Sequence, residues 1–246
     1  LLEGSEHIQV KRETLRCWAH EIHHVKRAKR RRSQVRKRRE RMESPGLLLQ
    51  MDGSTHRWFG NKKSCLIAII DDATSEIHAQ FFESETTLGC LQVLRDYIAK
   101  KGLFKALYVD RAGIFGGPKR CNFSQVKRAC SELGIEIIFA NSPQGKGRIE
   151  RSFDTFQDRL IPELRLNDIQ DMDSANRYLK KKFIPSFWRE HIEVTPRCGA
   201  SAFTPVPERP DLDDICAIKD HRQIRHDHTF SYANEVTLIE APLNYS

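Results

Sequence analysis

Apolar and polar positions change period several times along the middle of this chain. Continuous or alternating apolar runs predict five strands, at residues 47–51, 63–70, 76–82, 105–109 and 135–140. Apolar residues spaced three or four apart predict three helices, at residues 86–101, 124–133 and 146–164. The first three strands follow one another directly, and each later strand is reached through a helix. This order predicts an α/β fold, a mixed five-stranded sheet with flanking helices.

The flanks of this region have a different character. Residues 8–24 predict a helix with an apolar stripe that includes Trp18, and the basic run after this helix ends at Ser44-Pro45-Gly46. Such a helix either enters a DNA groove, with Arg16 as a contact, or is a solvated amphipathic helix. Residues 168–191 predict one helix or a pair interrupted at Pro185. Residues 196–246 combine a proline-rich linker with alternating positions typical of a small β module.

The predicted domains are therefore residues 1–45, a helical DNA-binding region with a basic arm; 46–195, the α/β core; and 196–246, linker and β module. The chain begins at Leu1 without a Met, which suggests that sequence is missing. No apolar run approaches the ~20 residues that span a bilayer. The seven cysteines are scattered, with no Cys-x-x-Cys pair. The cysteine pattern favours reduced thiols in the cytoplasm. The short apolar runs favour a protein with no membrane partner.

The positive charge is concentrated in one segment. Between Lys26 and Glu43 there are eleven Lys and Arg against two Glu, whereas the whole chain has a formal net charge of +8. A solvated or disordered run is one interpretation. Nucleic acid is the better one, because a polyanion neutralises the repulsion among these charges. The candidate DNA contacts in this arm are Arg30, Arg31, Arg32, Arg36, Lys37, Arg38 and Arg39.

Three acidic residues stand where a metal-dependent phosphoryl-transfer site would be built. Asp52 lies at the first predicted strand, Asp110 ends the fourth, and Glu150 lies on the helix after the fifth. Carboxylate oxygens suit Mg²⁺ or Mn²⁺, and two such ions are the usual requirement for phosphodiester attack. Each acid alone could instead be a strand-end cap or a solvated helix residue. Asp71 and Asp72 are left out, because turn aspartates usually bond their own backbone.

Four motifs carry a resemblance to a known family. They are Gln50-Met-Asp52-Gly-Ser, Ile70-Asp-Asp-Ala-Thr, Val109-Asp110-Arg and, most specifically, Asn141-Ser-Pro-Gln-Gly-Lys-Gly-Arg-Ile-Glu150. Over residues 46–165 the chain resembles the D,D,E recombinases, which include retroviral integrases and, more closely, insertion-sequence transposases with an integrase-type catalytic core of RNase H-like fold. Thr14-Leu15-Arg16 resembles part of a helix-turn-helix recognition helix.

The resemblance implies a transposase in which Asp52, Asp110 and Glu150 hold two Mg²⁺ or Mn²⁺ ions. It places Lys146 and Arg148 near the DNA end. The implied reaction is hydrolysis at the 3′ end of a transposon and then strand transfer into target DNA, by a homo-oligomer assembled on bacterial DNA. Two alternatives stay open: a catalytically silent DNA-binding remnant of a transposase, and an RNase H-like nuclease that cleaves without joining.

Overall fold

The computed structural model describes residues 12–22, 40–110, 125–140, 147–206, 208 and 211–239. It divides into two compact units, residues 1–39 and 40–246. In the first unit the described part is helix α1 (Arg12–Glu21), within the helix predicted for residues 8–24. Trp18 and Ile22, from the predicted apolar stripe, are 51% and 63% exposed.

The second unit is built on a mixed sheet in the order β3-β2-β1-β4-β5. Its strands are β1 (Leu48–His56), β2 (Ser64–Asp71), β3 (Ile77–Phe82), β4 (Ala106–Val109) and β5 (Glu136–Phe139). The first three strands pair antiparallel, whereas β1–β4 and β4–β5 pair in parallel. Parallel neighbours need a crossover, which the helices supply. The predicted five-stranded mixed sheet with flanking helices is therefore confirmed, with β1 at its centre.

Both faces of the sheet carry apolar side chains that are buried beneath helices. On one face Leu49 and Met51 pack against helices α2 (Thr87–Lys101) and α3 (Gln125–Glu132). On the other face Ala68 and Ile70 pack against helix α4 (Gly147–Leu166). Because side chains alternate along a strand, each residue of β1 belongs to one face or the other.

Helix α4 lies on the second face through the apolar stripe that its sequence predicts. This stripe is formed by four buried side chains, Ile149, Phe153, Phe156 and Leu160. The ring of Phe156 stacks on Trp188 with 4.6 Å between ring centroids. The indole nitrogen of Trp188 donates to the backbone oxygen of Ser75 at 2.9 Å.

The predicted interruption at Pro185 is wrong. Helix α5 (Met172–Tyr178), a π-helical segment (Leu179–Trp188) and helix α6 (Arg189–His191) succeed one another without a break, and Pro185 lies inside the π-helical segment. Phe183 and Trp188 are fully buried on the core. The burial of these two side chains offsets the backbone hydrogen bond that Pro185 cannot donate, so the chain stays helical through the proline.

Residues after 195 are closely associated with the core. Leu103 and Thr204 exchange backbone hydrogen bonds of 2.8 and 2.9 Å, and Phe203 packs on the α2 face. Helix α7 (Leu212–Ile215) buries Ile215 against the same face. The small β module is a hairpin of β6 (Thr229–Tyr232) and β7 (Glu235–Leu238), whose turn residues Ala233 and Asn234 both have positive φ.

Two further findings concern the described part of the chain. Its helices include none with the length and apolar character needed to cross a membrane. Its six cysteines are free thiols, four of them buried: Cys65, Cys90, Cys130 and Cys216.

We predict that Leu94→Ala lowers the free energy of unfolding by about 2–5 kcal/mol, because Leu94 is fully buried in α2 and its truncation leaves a cavity. Leu88, in the same helix, is 55% exposed, so Leu88→Ala should change that free energy by about 0.5 kcal/mol or less. Urea unfolding monitored by circular dichroism measures both. Equal effects of the two substitutions would contradict this packing of α2.

Candidate active site

The register of the central parallel strands bears on two of the predicted acids, Asp52 and Asp110. Leu48 pairs with Ala106 and Gln50 with Tyr108 across β1 and β4. The pairing ends at Gln50 and Tyr108, each two residues before one of these acids; Asp110 comes directly after β4. Neighbouring strands lie about 4.8 Å apart, so this register favours an approach of Asp52 to Asp110, which stays a prediction. Both side chains are partly buried, and one oxygen of Asp52 accepts the amide hydrogen of Gly53 at 3.1 Å.

Strand alternation determines on which face of the sheet Asp52 lies. Met51 and Val109 are buried among the side chains of the α2 face. Asp52 is the next residue of β1 and therefore lies on the opposite face, the one that α4 covers, whereas Asp110 lies just beyond the end of β4. Gln50 supports this assignment, because its side-chain oxygen accepts the amide hydrogen of Ile149, at the start of α4, at 3.3 Å.

Glu150, the third predicted acid, is an exposed residue in the first turn of α4. Its neighbour Ile149 is fully buried and bonded to Gln50, two residues before Asp52. The start of α4 is thus attached to the part of β1 that leads to Asp52. Among the residues that the structure describes, no three His, Cys, Asp or Glu side chains form a group able to hold a metal ion. The assignment of the three acids as metal ligands stays a prediction.

Two buried thiols near the sheet have raised pKa values. Burial raises the pKa of the Cys90 thiol, and the negative charges of Glu85, Asp52 and Asp110 act in the same direction. Burial also raises the pKa of Cys65 to about 11, with Glu85 and Asp52 contributing.

Glu85 was not among the residues predicted from the sequence. A β carbon added to Gly53 would come within 2.8 Å of the Glu85 carboxyl carbon and 3.1 Å of the Cys65 sulfur. The carboxyl group of Glu85 is therefore packed against the residue immediately after Asp52. Glu85 precedes Thr86, the N-cap of α2, and belongs to no periodic run. Nothing in the sequence pattern distinguished it from a solvated loop residue.

Arg148, predicted to lie near DNA, is directed into the protein. Its Nε donates to an oxygen of Asp72 at 2.6 Å, and its side chain is 14% exposed. The carboxylate of Asp72 has partners that the interpretation as a turn aspartate did not include, since it also accepts from Gln50 and from the amide of Met42. Asp71 does fit that interpretation, since it accepts the amide hydrogens of Ala73 and Thr74.

The other predicted DNA contacts are mostly outside the described residues. Arg16 is an exposed residue of α1, 2.9 Å from Glu13 in an ion pair. The predicted DNA contacts that lie outside the described ranges are Lys146, Arg30, Arg31, Arg32, Arg36, Lys37, Arg38 and Arg39. Their contacts with DNA stay predictions.

Comparison with known proteins gives relatives of two kinds. The chain is 35% identical over 242 residues to a Sinorhizobium fredii protein named transposase y4bF, covering 95% of this chain and 52% of that protein. It is 31% identical over 204 residues to the transposase for insertion sequence IS1202 of Streptococcus pneumoniae, covering 80% of this chain and 43% of that protein. The chain thus spans about half the length of these relatives. No protein-family model matches it.

Among solved structures, the chain is similar to one from the simian T-cell lymphotropic virus intasome in complex with the PP2A regulatory subunit B56 gamma. The TM-score is 0.53 at 19% identity, and the match covers 85% of this chain and 77% of that one. At this identity the likeness concerns the fold. It agrees with the mixed five-stranded sheet and the helices on its faces.

We predict that Gly53→Ala lowers the free energy of unfolding by about 1–3 kcal/mol, because the new methyl group meets Glu85 and Cys65 at 2.8 and 3.1 Å. Glu85→Ala in the same chain should recover part of this loss. Gly199→Ala is the matched control, since an added β carbon there meets nothing within 4 Å. Urea unfolding of the single and double variants measures the coupling. Strictly additive effects at positions 53 and 85 would rule out the contact.

Proposed function

Because this chain is a relative of the insertion-sequence transposases that carry an integrase-type catalytic core, we propose that it is a D,D,E transposase. The proposed reaction is hydrolysis at the 3′ end of an insertion sequence and then transfer of that end into target DNA. Asp52, Asp110 and Glu150 are the proposed catalytic residues.

One observation carries this proposal: Gln50, two residues before Asp52 on β1, is hydrogen-bonded to the backbone amide of Ile149, which is next to Glu150 on α4. The β1–β4 register supports the pairing of Asp52 with Asp110. The hydrogen bond between Gln50 and the amide of Ile149 supports the approach of Glu150. Residues 52 and 150 are far apart in the chain, so their approach depends on the fold and not on a local motif.

The donor set fits a hard divalent cation. Asp52, Asp110 and Glu150 would offer carboxylate oxygens, the ligands that Mg²⁺ and Mn²⁺ prefer. When bound by such carboxylates, two Mg²⁺ or Mn²⁺ ions would stabilise the charge on the attacking and leaving oxygens of a phosphodiester. Asp52 and Asp110, on rigid strands, would fix the position of these ligand oxygens. Glu150 would add its carboxylate from the more exposed α4.

DNA is the proposed partner, and cationic side chains outside the acidic face would bind it. The segment from Lys26 to Glu43 would contact phosphates without choosing a sequence. Lys146, four residues before Glu150, would hold the phosphate backbone near the reacting end, and Arg16 would contact DNA from α1. Two ends must be joined in one event, so we also propose a homo-oligomer assembled on DNA in the bacterial cytoplasm, at the nucleoid.

The decisive experiment incubates the 246-residue chain and Mg²⁺ with labelled duplexes taken from both flanks of its gene. We expect joined products. We also expect Asp52→Asn, Asp110→Asn and Glu150→Gln each to lower joining by about 10³-fold or more, with the Kd for DNA unchanged. Asp158→Asn is the matched control, because Asp158 is an exposed residue further along α4. Full joining by Asp110→Asn would refute the proposed site.

The same experiment separates the alternatives. Cleavage without joined products would indicate a nuclease of the same fold. DNA binding without cleavage, in the presence of either Mg²⁺ or Mn²⁺, would indicate a silent remnant of a transposase.

The basic segment predicts a strong dependence of DNA binding on salt. Replacing Arg36, Lys37 and Arg38 by Gln should make the slope of log K against log salt concentration less steep by about 2–3, because each phosphate contact contributes about 0.9. The control replaces three exposed lysines of the second unit, Lys180, Lys181 and Lys182, by Gln. Fluorescence anisotropy over a range of salt concentrations measures the slopes. Equal slopes for the two triple variants would contradict a DNA-binding role for this segment.

A further inference from the structure

A buried carboxylate lies where three parts of the core meet. Asp72, after the end of β2, has no exposed side-chain surface. One of its oxygens accepts from the Gln50 amide nitrogen at 2.9 Å and from the Arg148 Nε at 2.6 Å. The other accepts the amide hydrogen of Met42 at 2.9 Å. We name these three side chains, with the backbone amides of Met42 and Ile149, the Asp72 network.

Gln50 connects this carboxylate to the candidate active site. Its amide nitrogen donates to Asp72, while its oxygen accepts from the amide of Ile149. Gln50 is two residues before Asp52 on β1, and Ile149 is next to Glu150 on α4. The Asp72 network therefore binds the strand of one catalytic acid to the first turn of the helix that carries another.

A second arginine from the chain entering the core bonds to the same turn. Nη1 of Arg41 donates to the backbone oxygen of Asp72 at 3.0 Å and to the hydroxyl of Ser75 at 2.8 Å. Burial lowers the pKa of Arg41, the positive charge of Arg148 acts in the same direction, and the charge of Asp72 opposes both. Asp72 thus contacts both guanidinium groups, Arg148 through its carboxylate and Arg41 through its backbone oxygen.

Stability alone does not require such an arrangement. Buried ion pairs lose their hydration, and apolar side chains of similar volume often stabilise a core equally well. Hydrogen bonds are directional and therefore fix the rotation and the axial position of a helix. Apolar packing alone leaves both adjustable. Active-site side chains need placement to within about 0.5 Å, which a supporting layer of hydrogen bonds provides.

We propose that Gln50, Asp72 and Arg148 are positioning residues that hold the first turn of α4, and so Glu150, against the strand bearing Asp52. This inference rests on the proposed function, since it assigns the Asp72 network to the same site. It also gives Arg148 a role inside the protein in place of a contact with DNA.

The first test uses Gln50→Met, which removes both side-chain hydrogen bonds at nearly constant volume. We expect hydrogen–deuterium exchange of residues 147–153 to become about 10-fold faster. In the joining reaction we expect the Mg²⁺ concentration for half-maximal rate to rise, and kcat to fall, by about 10- to 100-fold, with the Kd for DNA unchanged.

The matched control is Asn176→Leu. The Asn176 side chain also makes two hydrogen bonds, 2.7 and 3.1 Å long, but to the backbone of Phe81 on the edge strand β3. Its loss should lower stability without changing the exchange of residues 147–153 or the Mg²⁺ requirement. Equal changes in both variants would show a merely structural role and overturn the inference.

A second set of variants covers the case in which Gln50→Met does not fold. Asp72→Asn and Arg148→Gln each leave one partner of the ion pair without its opposite charge, and both should speed exchange at residues 147–153. The double variant replaces the ion pair by a neutral amide pair and should restore slow exchange. Unchanged exchange in both single variants would overturn the inference.

The exchange measurement needs neither metal nor DNA. If the wild-type chain joins no DNA, the proposed function fails while the exchange data still decide whether the Asp72 network holds α4. If the wild type joins DNA and the variants match it in Mg²⁺ requirement and exchange, the positioning role fails alone.

Discussion

The parallel pairing of β1 with β4 is the constraint on which the rest of the second unit, residues 40–246, depends. Parallel strands cannot be joined by a tight turn, so the chain crosses the sheet through α2 between them. That pairing brings the part of β1 that leads to Asp52 beside β4, which ends immediately before Asp110. Strand β5 then extends the sheet in parallel, and α4 packs on the face opposite α2 and α3. A shift of one residue in the β1–β4 pairing would turn buried side chains to the wrong face of the sheet.

The polar interior at the end of β2 complements this apolar framework. Asp71 accepts the amide hydrogen of Gly46 at 2.7 Å, and Asp72 accepts that of Met42. Burial raises the pKa of Asp71, and its bonds to Gly46, Thr74 and Ala73 oppose that rise. The two adjacent aspartates thus attach the chain that enters the core to the turn between β2 and β3. The core is otherwise built from Ile, Leu and aromatic side chains, whose packing is not directional. The hydrogen bonds of Asp71 and Asp72 are directional and so fix the orientation of the segments that they join.

Periodicity predicted the sheet well, because strands buried on one or both faces leave an alternating or continuous apolar pattern that needs no partner to be recognised. The same holds for the buried stripe of α4. The local pattern wrongly predicted an interruption of the helix at Pro185, because it takes no account of the packing of Phe183 and Trp188. It also gave no sign of the Asp72 partners Gln50 and Arg148, which are 22 and 76 residues away. Glu85 had no signal at all, because its proximity to Gly53 arises only when α2 packs on the sheet.

The sequence by itself determined the order of the elements, the position of each acid at a strand or on a helix, and the concentration of positive charge in one segment. These properties depend on neighbours within a few residues, which the chain displays directly. Only the tertiary structure decided that β1 pairs with β4, that Arg148 turns inward and that Gln50 joins β1 to α4. Those outcomes depend on the register of strands that are distant in sequence, and hydrogen bonds between distant residues leave no periodic trace in the chain.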